Sequence, residues 1–179
     1  MDPFSTLGAF DAYLSERGLR LEAVIVGGAA LNLLGLITRP TRDCDVLHPA
    51  LPAAIAAAAR SFAAQMRGRG VDLEDAWLND GPKSLVPLLP ADWASRLTTV
   101  FSGRAIELRS LGRPELLASK VFALCDRGID LQDCIAIAPS AAEPSTLLSW
   151  LEYQDTNPDW PAHVRSVVAD LARRLGHGV

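Results

Sequence analysis

The order of elements along the sequence predicts an α+β protein rather than a regular doubly wound α/β fold. Three observations carry that reading. A helix precedes the first strand, and a strand–helix–strand–helix run follows it. Two further strands then come in direct succession around Ser102-Gly103-Arg104, with no helix between them. From Pro114 onward the periodicity is helical only. The chain has 179 residues, of which 49% are hydrophobic and 21% charged, an ordinary composition for a folded domain.

Each element has a local reason. Residues 5–18 read as a helix: Ser5 can cap it, Leu7, Phe10 and Leu14 form an apolar stripe, and Gly18 stands where a terminating glycine belongs. Residues 23–26, Ala-Val-Ile-Val, are a short β-branched run of the kind found in buried strands. The run ends at Gly27-Gly28, and a helix is expected over 29–34, ending near Gly35. The Pro40-interrupted polar stretch 37–42 is a loop. Residues 43–47 alternate with the strand period, which puts Asp43 and Asp45 on one face and Cys44 and Val46 on the other. Pro52 suits the first turn of an alanine-rich helix reaching Arg67, stopped by Gly68 and Gly70. Stretch 71–96 gives only a turn within Trp77-Leu78-Asn79-Asp80-Gly81-Pro82, with Pro87 and Pro90 limiting regular structure. Strands are expected at 97–101 and 105–111, and helices at 114–126, from about Asp130, at 145–154 and at 161–175. Pro139 and Pro144 punctuate the helix from about Asp130, and no linker or domain-scale shift in composition is seen. The expected division is a core over 1–138 and a helical extension over 139–179, packed on the core.

Charge and cysteine usage narrow the function classes. With 17 basic against 21 acidic residues, the net charge is -4 and the pI about 5.3. A scaffold that holds nucleic acid by bulk charge is not expected, although a local basic cleft is compatible with these numbers. The three cysteines form no CxxC pair, which argues against a disulfide framework or zinc ribbon and fits a reducing cytoplasm. The N-terminus shows no basic, apolar leader pattern, and no apolar run is long enough to span a bilayer, so a cytoplasmic, non-membrane protein is expected.

One unit carries chemistry: Val24-Ile25-Val26-Gly27-Gly28, then Asp43-Cys44-Asp45-Val46. A strand that runs into two glycines and a helix lets backbone N–H groups approach an oxyanion closely. The second strand presents two carboxylates about 7 Å apart along one face. Carboxylates so placed can hold Mg²⁺, which binds carboxylate, water and substrate phosphate together.

This arrangement resembles the nucleotidyltransferase superfamily of the polymerase-beta type. The string Gly27-Gly28 … Arg39-Pro40-Thr41-Arg42-Asp43-Cys44-Asp45 is similar to one branch of it, the small bacterial DUF6036-type nucleotidyltransferases and the related AbiEii-type toxins. The Lys120-bearing helix and the Asp126-Arg127 … Asp130 … Asp133 segment after it match the same branch. The resemblance covers residues 22–135 well, is weak over 50–100 and has no match beyond 140. It implies a mixed β-sheet flanked by helices, with a C-terminal helical region. It implies an enzyme that moves an NMP from an NTP to a hydroxyl on RNA or tRNA, on a protein or on a small molecule. Mg²⁺ or Mn²⁺ would serve as cofactor. A toxin role, with an antitoxin partner, is a further implication. Gly27, Gly28, Arg39, Thr41, Arg42 and Lys120 would bind the nucleotide, and Asp43 and Asp45 the metal.

The same pattern asks for a third carboxylate, and Glu107 is the candidate, as metal ligand and general base. The other reading of Glu107 is a solvated strand residue paired with Arg104 or Arg109. Arg39 and Arg42 either hold phosphate oxygens or neutralise the acids. Lys120 either reaches a phosphate or is a helix-surface cation. Asp130 reads as a cap. His48, His163 and His177 lack metal-ligand spacing, and the four tryptophans read as packing residues. Two competing functions remain: a nucleotidyltransferase-like module that binds without catalysing, and an unrelated α+β interaction protein whose acids do not converge.

Overall fold

The computed structural model describes residues 2–137, 140 and 143–176. Pro139, His177 and the expected boundary at 138/139 lie outside the described residues. Two compact units are present, Met1–Gly112 and Arg113–Val179.

The first unit is a five-stranded mixed sheet with helices. Its elements are α1 (Pro3–Ser15), β1 (Leu21–Val26), α2 (Gly27–Leu33), β2 (Cys44–His48), α3 (Ala53–Gly68), β3 (Leu78–Asn79), β4 (Thr98–Ser102) and β5 (Ile106–Ser110). Two 3-10 segments, Gly81–Leu88 and Trp93–Arg96, lie between β3 and β4. The strand order is β3-β2-β1-β5-β4. β1 runs antiparallel to β2 and parallel to β5, β2 is parallel to β3, and β4 is antiparallel to β5. The mixed sheet and the α+β class are therefore as the sequence reads.

Alternation along the strands decides which face carries chemistry. Ala23, Ile25, Cys44, Val46, Ile106 and Leu108 enter one buried cluster with Leu7, Phe10 and Leu14 of α1 and Ile55 and Phe62 of α3. Phe10 stacks edge-on against Trp77, whose indole N–H donates to the Ala59 carbonyl at 3.1 Å. That bond ties α3 to the residue just before β3. With odd-numbered β1 residues and even-numbered β2 residues in this core, Asp45 is left on the other face, while β2 begins at Cys44 and not at Asp43 as expected, so Asp43 stands just before the strand.

Three boundaries differ from expectation. Asp2, not Ser5, caps α1: its carboxylate accepts the Ser5 N–H at 3.0 Å, and Pro3 opens the helix because its fixed φ is already helical. α2 begins at Gly27 itself, absorbing both glycines. β3 was hidden in the proline-rich stretch, because two residues are too few to show a period.

The β4–β5 hairpin is held from outside the sheet. Asp11 of α1 accepts the backbone N–H groups of Arg104 (3.0 Å), Ala105 (2.8 Å) and Ile106 (2.8 Å). Gly103 is required there, since a Cβ would stand 2.2 Å from Asp11 Oδ1. Burial pushes the Asp11 pKa up, but the three N–H donors outweigh it and the net shift is downward from 3.8. A depressed carboxylate stabilises the fold fully above its ordinary pKa, and the contribution is lost as pH falls through the folded value. Asp11→Ala leaves three donors without their acceptor and is expected to cost about 3 kcal/mol or more. Urea unfolding at pH 7 checks this, and the gap from the native protein is expected to narrow below about pH 4.

The second unit contains α4 (Arg113–Arg127), α5 (Leu131–Ile137), α6 (Glu143–Thr146), α7 (Leu148–Glu152) and α8 (Trp160–Arg174). The single helix expected over 145–154 is divided between α6 and α7. Trp160 donates its indole N–H to the Leu151 carbonyl at 2.8 Å, and the His163 Nε2 lies 2.8 Å from the Cys125 carbonyl oxygen. Both polar rings thus serve the packing of this unit. Among the described residues, no helix is long and apolar enough to cross a membrane.

Candidate functional site

The site is built where β1 ends. Gly27 adopts φ 74°, a conformation that glycine takes without strain. It is also the closest approach in the cradle, since a Cβ on Gly27 would stand 2.6 Å from Asp45 Oδ2. A Cβ on Gly28 would stand 3.0 Å from Thr41 Oγ1 and 3.9 Å from an Arg39 guanidinium nitrogen. The two glycines are therefore needed for the approach of side chains, beyond any role in turning the chain. Val26, the residue before α2, has no side-chain acceptor and so caps none of the first-turn N–H groups. With only seven residues, α2 supplies backbone donors more than a long dipole.

The acids come from β2 and the residue just before it. Asp45 lies opposite Val26 of β1 on one side and Asn79 of β3 on the other. The Asn79 amide donates to Asp45 Oδ1 at 3.0 Å. Asp43 immediately precedes β2, and the Thr41 hydroxyl lies 3.3 Å from its carbonyl oxygen and 3.4 Å from its Oδ1. The loop carrying Thr41 is tied down by Asn32 of α2, which donates to the Arg39 carbonyl at 3.1 Å. Gly27, Gly28, Arg39, Thr41, Asp43 and Asp45 are thus brought together. Arg42 is exposed on the same loop. Cys44, between the acids, points into the core, and burial with the charges of Asp45 and Asp43 pushes its thiol far up, so it stays protonated.

Glu107 is not brought to this group. It pairs in register with Glu22, four residues back along β1 from Val26. At a rise of about 3.3 Å per residue that is roughly 13 Å along the sheet, and β1 lies between the two strands. Glu107 instead pairs with Arg109 at 3.4 Å, both about half exposed. The expectation of Glu107 as third ligand and base is corrected accordingly. Alternation placed its face properly, but face alone does not fix the register across a parallel pair. Among the described residues, no group of three or more His, Cys, Asp and Glu is arranged to hold a metal ion.

Lys120 belongs to the second unit, where it is buried. Its ammonium lies 2.7 Å from Asp133 Oδ2 and 3.3 Å from Asp130 Oδ1. Asp130 takes φ 71° at the α4–α5 joint, and its carbonyl accepts the Cys134 N–H. Its backbone carbonyl takes part in opening α5, and its carboxylate is an ion-pair partner of Lys120 and Arg127. Burial, with the nearby Asp130 charge, pushes the Cys134 thiol up to about 12.

The residue that sequence reasoning missed is Asn79. Its only signal was its place within the Trp77–Pro82 turn segment. Asn79 also lines a groove of about 430 Å³ with Leu51, Arg60, Leu78 and Asp80.

A glycine turn opening a helix, set against an acid pair on the neighbouring strand, is the layout of a nucleotidyltransferase-like domain. The chain belongs to the family described as nucleotidyltransferase of unknown function (DUF6036), whose model matches residues 5–138. No curated protein and no solved structure matches the chain.

The cradle yields its own test. Gly27→Ala forces a Cβ into the left-handed region and against Asp45, whose carboxylate must then swing off Asn79. The expected cost is about 2 kcal/mol, or roughly 4–8 °C in Tm for a chain of this size. Nucleotidyl transfer is expected to fall more steeply than stability, and thermal melts beside a transfer assay check both.

Proposed function

We propose that this chain transfers a nucleotidyl group from a nucleoside triphosphate to an acceptor hydroxyl with the help of Mg²⁺ or Mn²⁺. The observation that carries the reading is the packing of Asp45 and Thr41 against the two glycines at the end of β1. In the proposed reaction the acceptor oxygen bonds to the α-phosphorus, the bond to the β-phosphate bridge breaks, and pyrophosphate leaves. The hydroxyl proton is released.

The donor set fits the cation. Mg²⁺ is held by one or two carboxylates together with substrate phosphates, so Asp43 and Asp45 suffice without an all-protein cage. When bound, the ion neutralises triphosphate charge and favours the alkoxide. The residues of the chain do the positioning. The backbone N–H groups at the start of α2 would seat phosphate oxygens, and Arg39, beside Gly28, supplies positive charge. The groove beside Asn79 offers room for the rest of a substrate. The acceptor class, whether RNA, protein or small molecule, is read from the labelled product. A toxin restrained by an antitoxin is the biological extension of this proposal.

A second reading, nucleotide binding without turnover, is favoured by the distance of Glu107 from the acid pair. One experiment separates the two. Each of the four α-labelled NTPs is incubated with total RNA and cell lysate, with the native protein and with the Asp43→Ala/Asp45→Ala variant. Magnesium-dependent label transfer by the native protein alone supports the enzyme. Nucleotide binding by the native protein with no transfer supports the binding module.

A further inference from the structure

We propose that Asn79 is a positioning residue for Asp45, and that it makes this a two-carboxylate cation site where a third acid would otherwise fit. The inference rests on the nucleotidyl-transfer reading of the acid pair. Three observations carry it. First, β3 is only Leu78–Asn79, and its register sets Asn79 directly opposite Asp45. Second, the Asn79 amide is held at both ends: its Nδ2 donates to Asp45 Oδ1 at 3.0 Å, while its Oδ1 accepts the Gly81 N–H at 3.0 Å. With the oxygen committed to Gly81, the NH2 must face the carboxylate. Third, Gly81 is close enough that a Cβ there would stand 3.1 Å from Asn79 Oδ1, so a glycine keeps this contact tight.

The chemistry follows from which group sits at position 79. An amide donates to Asp45 and fixes its carboxylate without competing for the cation. A carboxylate of the same shape would keep the Gly81 bond, lose the bond to Asp45 and set two negative charges side by side. Without a cation that pair repels, and with one it becomes a further ligand. An outer-shell group of this kind tunes metal affinity by about tenfold or more.

The test is Mn²⁺ binding, followed by loss of the free-ion EPR signal, with thermal melts in EDTA and in Mn²⁺. The full chain is compared with Asp45→Ala, Asn79→Ala and Asn79→Asp. The expected result is binding by the native protein, loss in Asp45→Ala, and about tenfold weaker binding in Asn79→Ala. Asn79→Asp is expected to melt below the native protein in EDTA, to recover in Mn²⁺, and to bind the ion more tightly than the native protein. That variant is isosteric and carries the test if Asn79→Ala does not fold. Native Mn²⁺ affinity and native melting in EDTA for Asn79→Asp would overturn the proposal, and Asn79 would then only shape the turn through Gly81. Native binding that survives Asp45→Ala, or no binding by the native protein, overturns the acid-pair reading itself and this inference with it.

Discussion

Asp45→Asn is expected to lower the rate of nucleotidyl transfer by at least about 10²-fold while leaving the melting temperature close to native. The two halves of this expectation come from different atoms. The amide at 45 keeps the shape of the carboxylate and an oxygen for the Asn79 donor, so the β2–β3 contact survives. Its charge is gone, and with it the attraction for a divalent cation. Asp43→Asn is expected to behave alike, because Asp43 is carried on the same loop by Thr41. The double variant should lose little more than either single one, since residues acting on one centre are strongly non-additive. The loss is expected in kcat more than in KM if Arg39 and the glycine backbone still hold the triphosphate. The measurement is initial-rate transfer from the preferred α-labelled NTP, beside melts of each variant. A native rate for Asp45→Asn would remove the acid pair from the reaction and sink the proposed function.

How much of this was readable from the chain alone follows from what each signal depends on. The end of the strand at Gly27 and the outward face of Asp45 are local features, set by a period of two and by glycine geometry. They were legible for that reason. The helices α1, α3, α4 and α8 were legible because each is long enough to show an apolar stripe. β3 was not, since two residues have no period, and with it went Asn79, whose role exists only through β2–β3 register. Glu107 shows the converse failure. Its face was predictable from Ile106 and Leu108, but its distance from Asp45 depends on pairing across β1, which no local pattern encodes. Asp11 was invisible for a related reason: its three partners lie more than ninety residues away in sequence. Local chemistry announces itself, and long-range register does not.

Lys120→Ala is expected to destabilise the second unit by about 3–5 kcal/mol, and thermal or urea unfolding will measure it. As one of two lysines in the chain, Lys120 invites a phosphate-binding role. Its surroundings argue for a different primary task. The side chain is only 9% exposed and lies between two carboxylates, one of them, Asp133, just 1% exposed. Removing the ammonium leaves Asp130 the exposed Arg127 at 3.6 Å, but it takes away the cation 2.7 Å from the near-buried Asp133. The desolvation of the Asp133 carboxylate, more than the lost attraction, sets the size of the effect. A second variant checks the origin of this loss. Lys120→Met combined with Asp133→Leu removes both charges and fills the space with apolar atoms, and is expected to recover much of the stability lost by Lys120→Ala. If Lys120 instead acts chiefly on a triphosphate, Lys120→Ala will melt like the native protein and bind nucleotide less well. Melts and nucleotide titrations on the same pair of variants therefore assign this lysine to the fold or to the substrate.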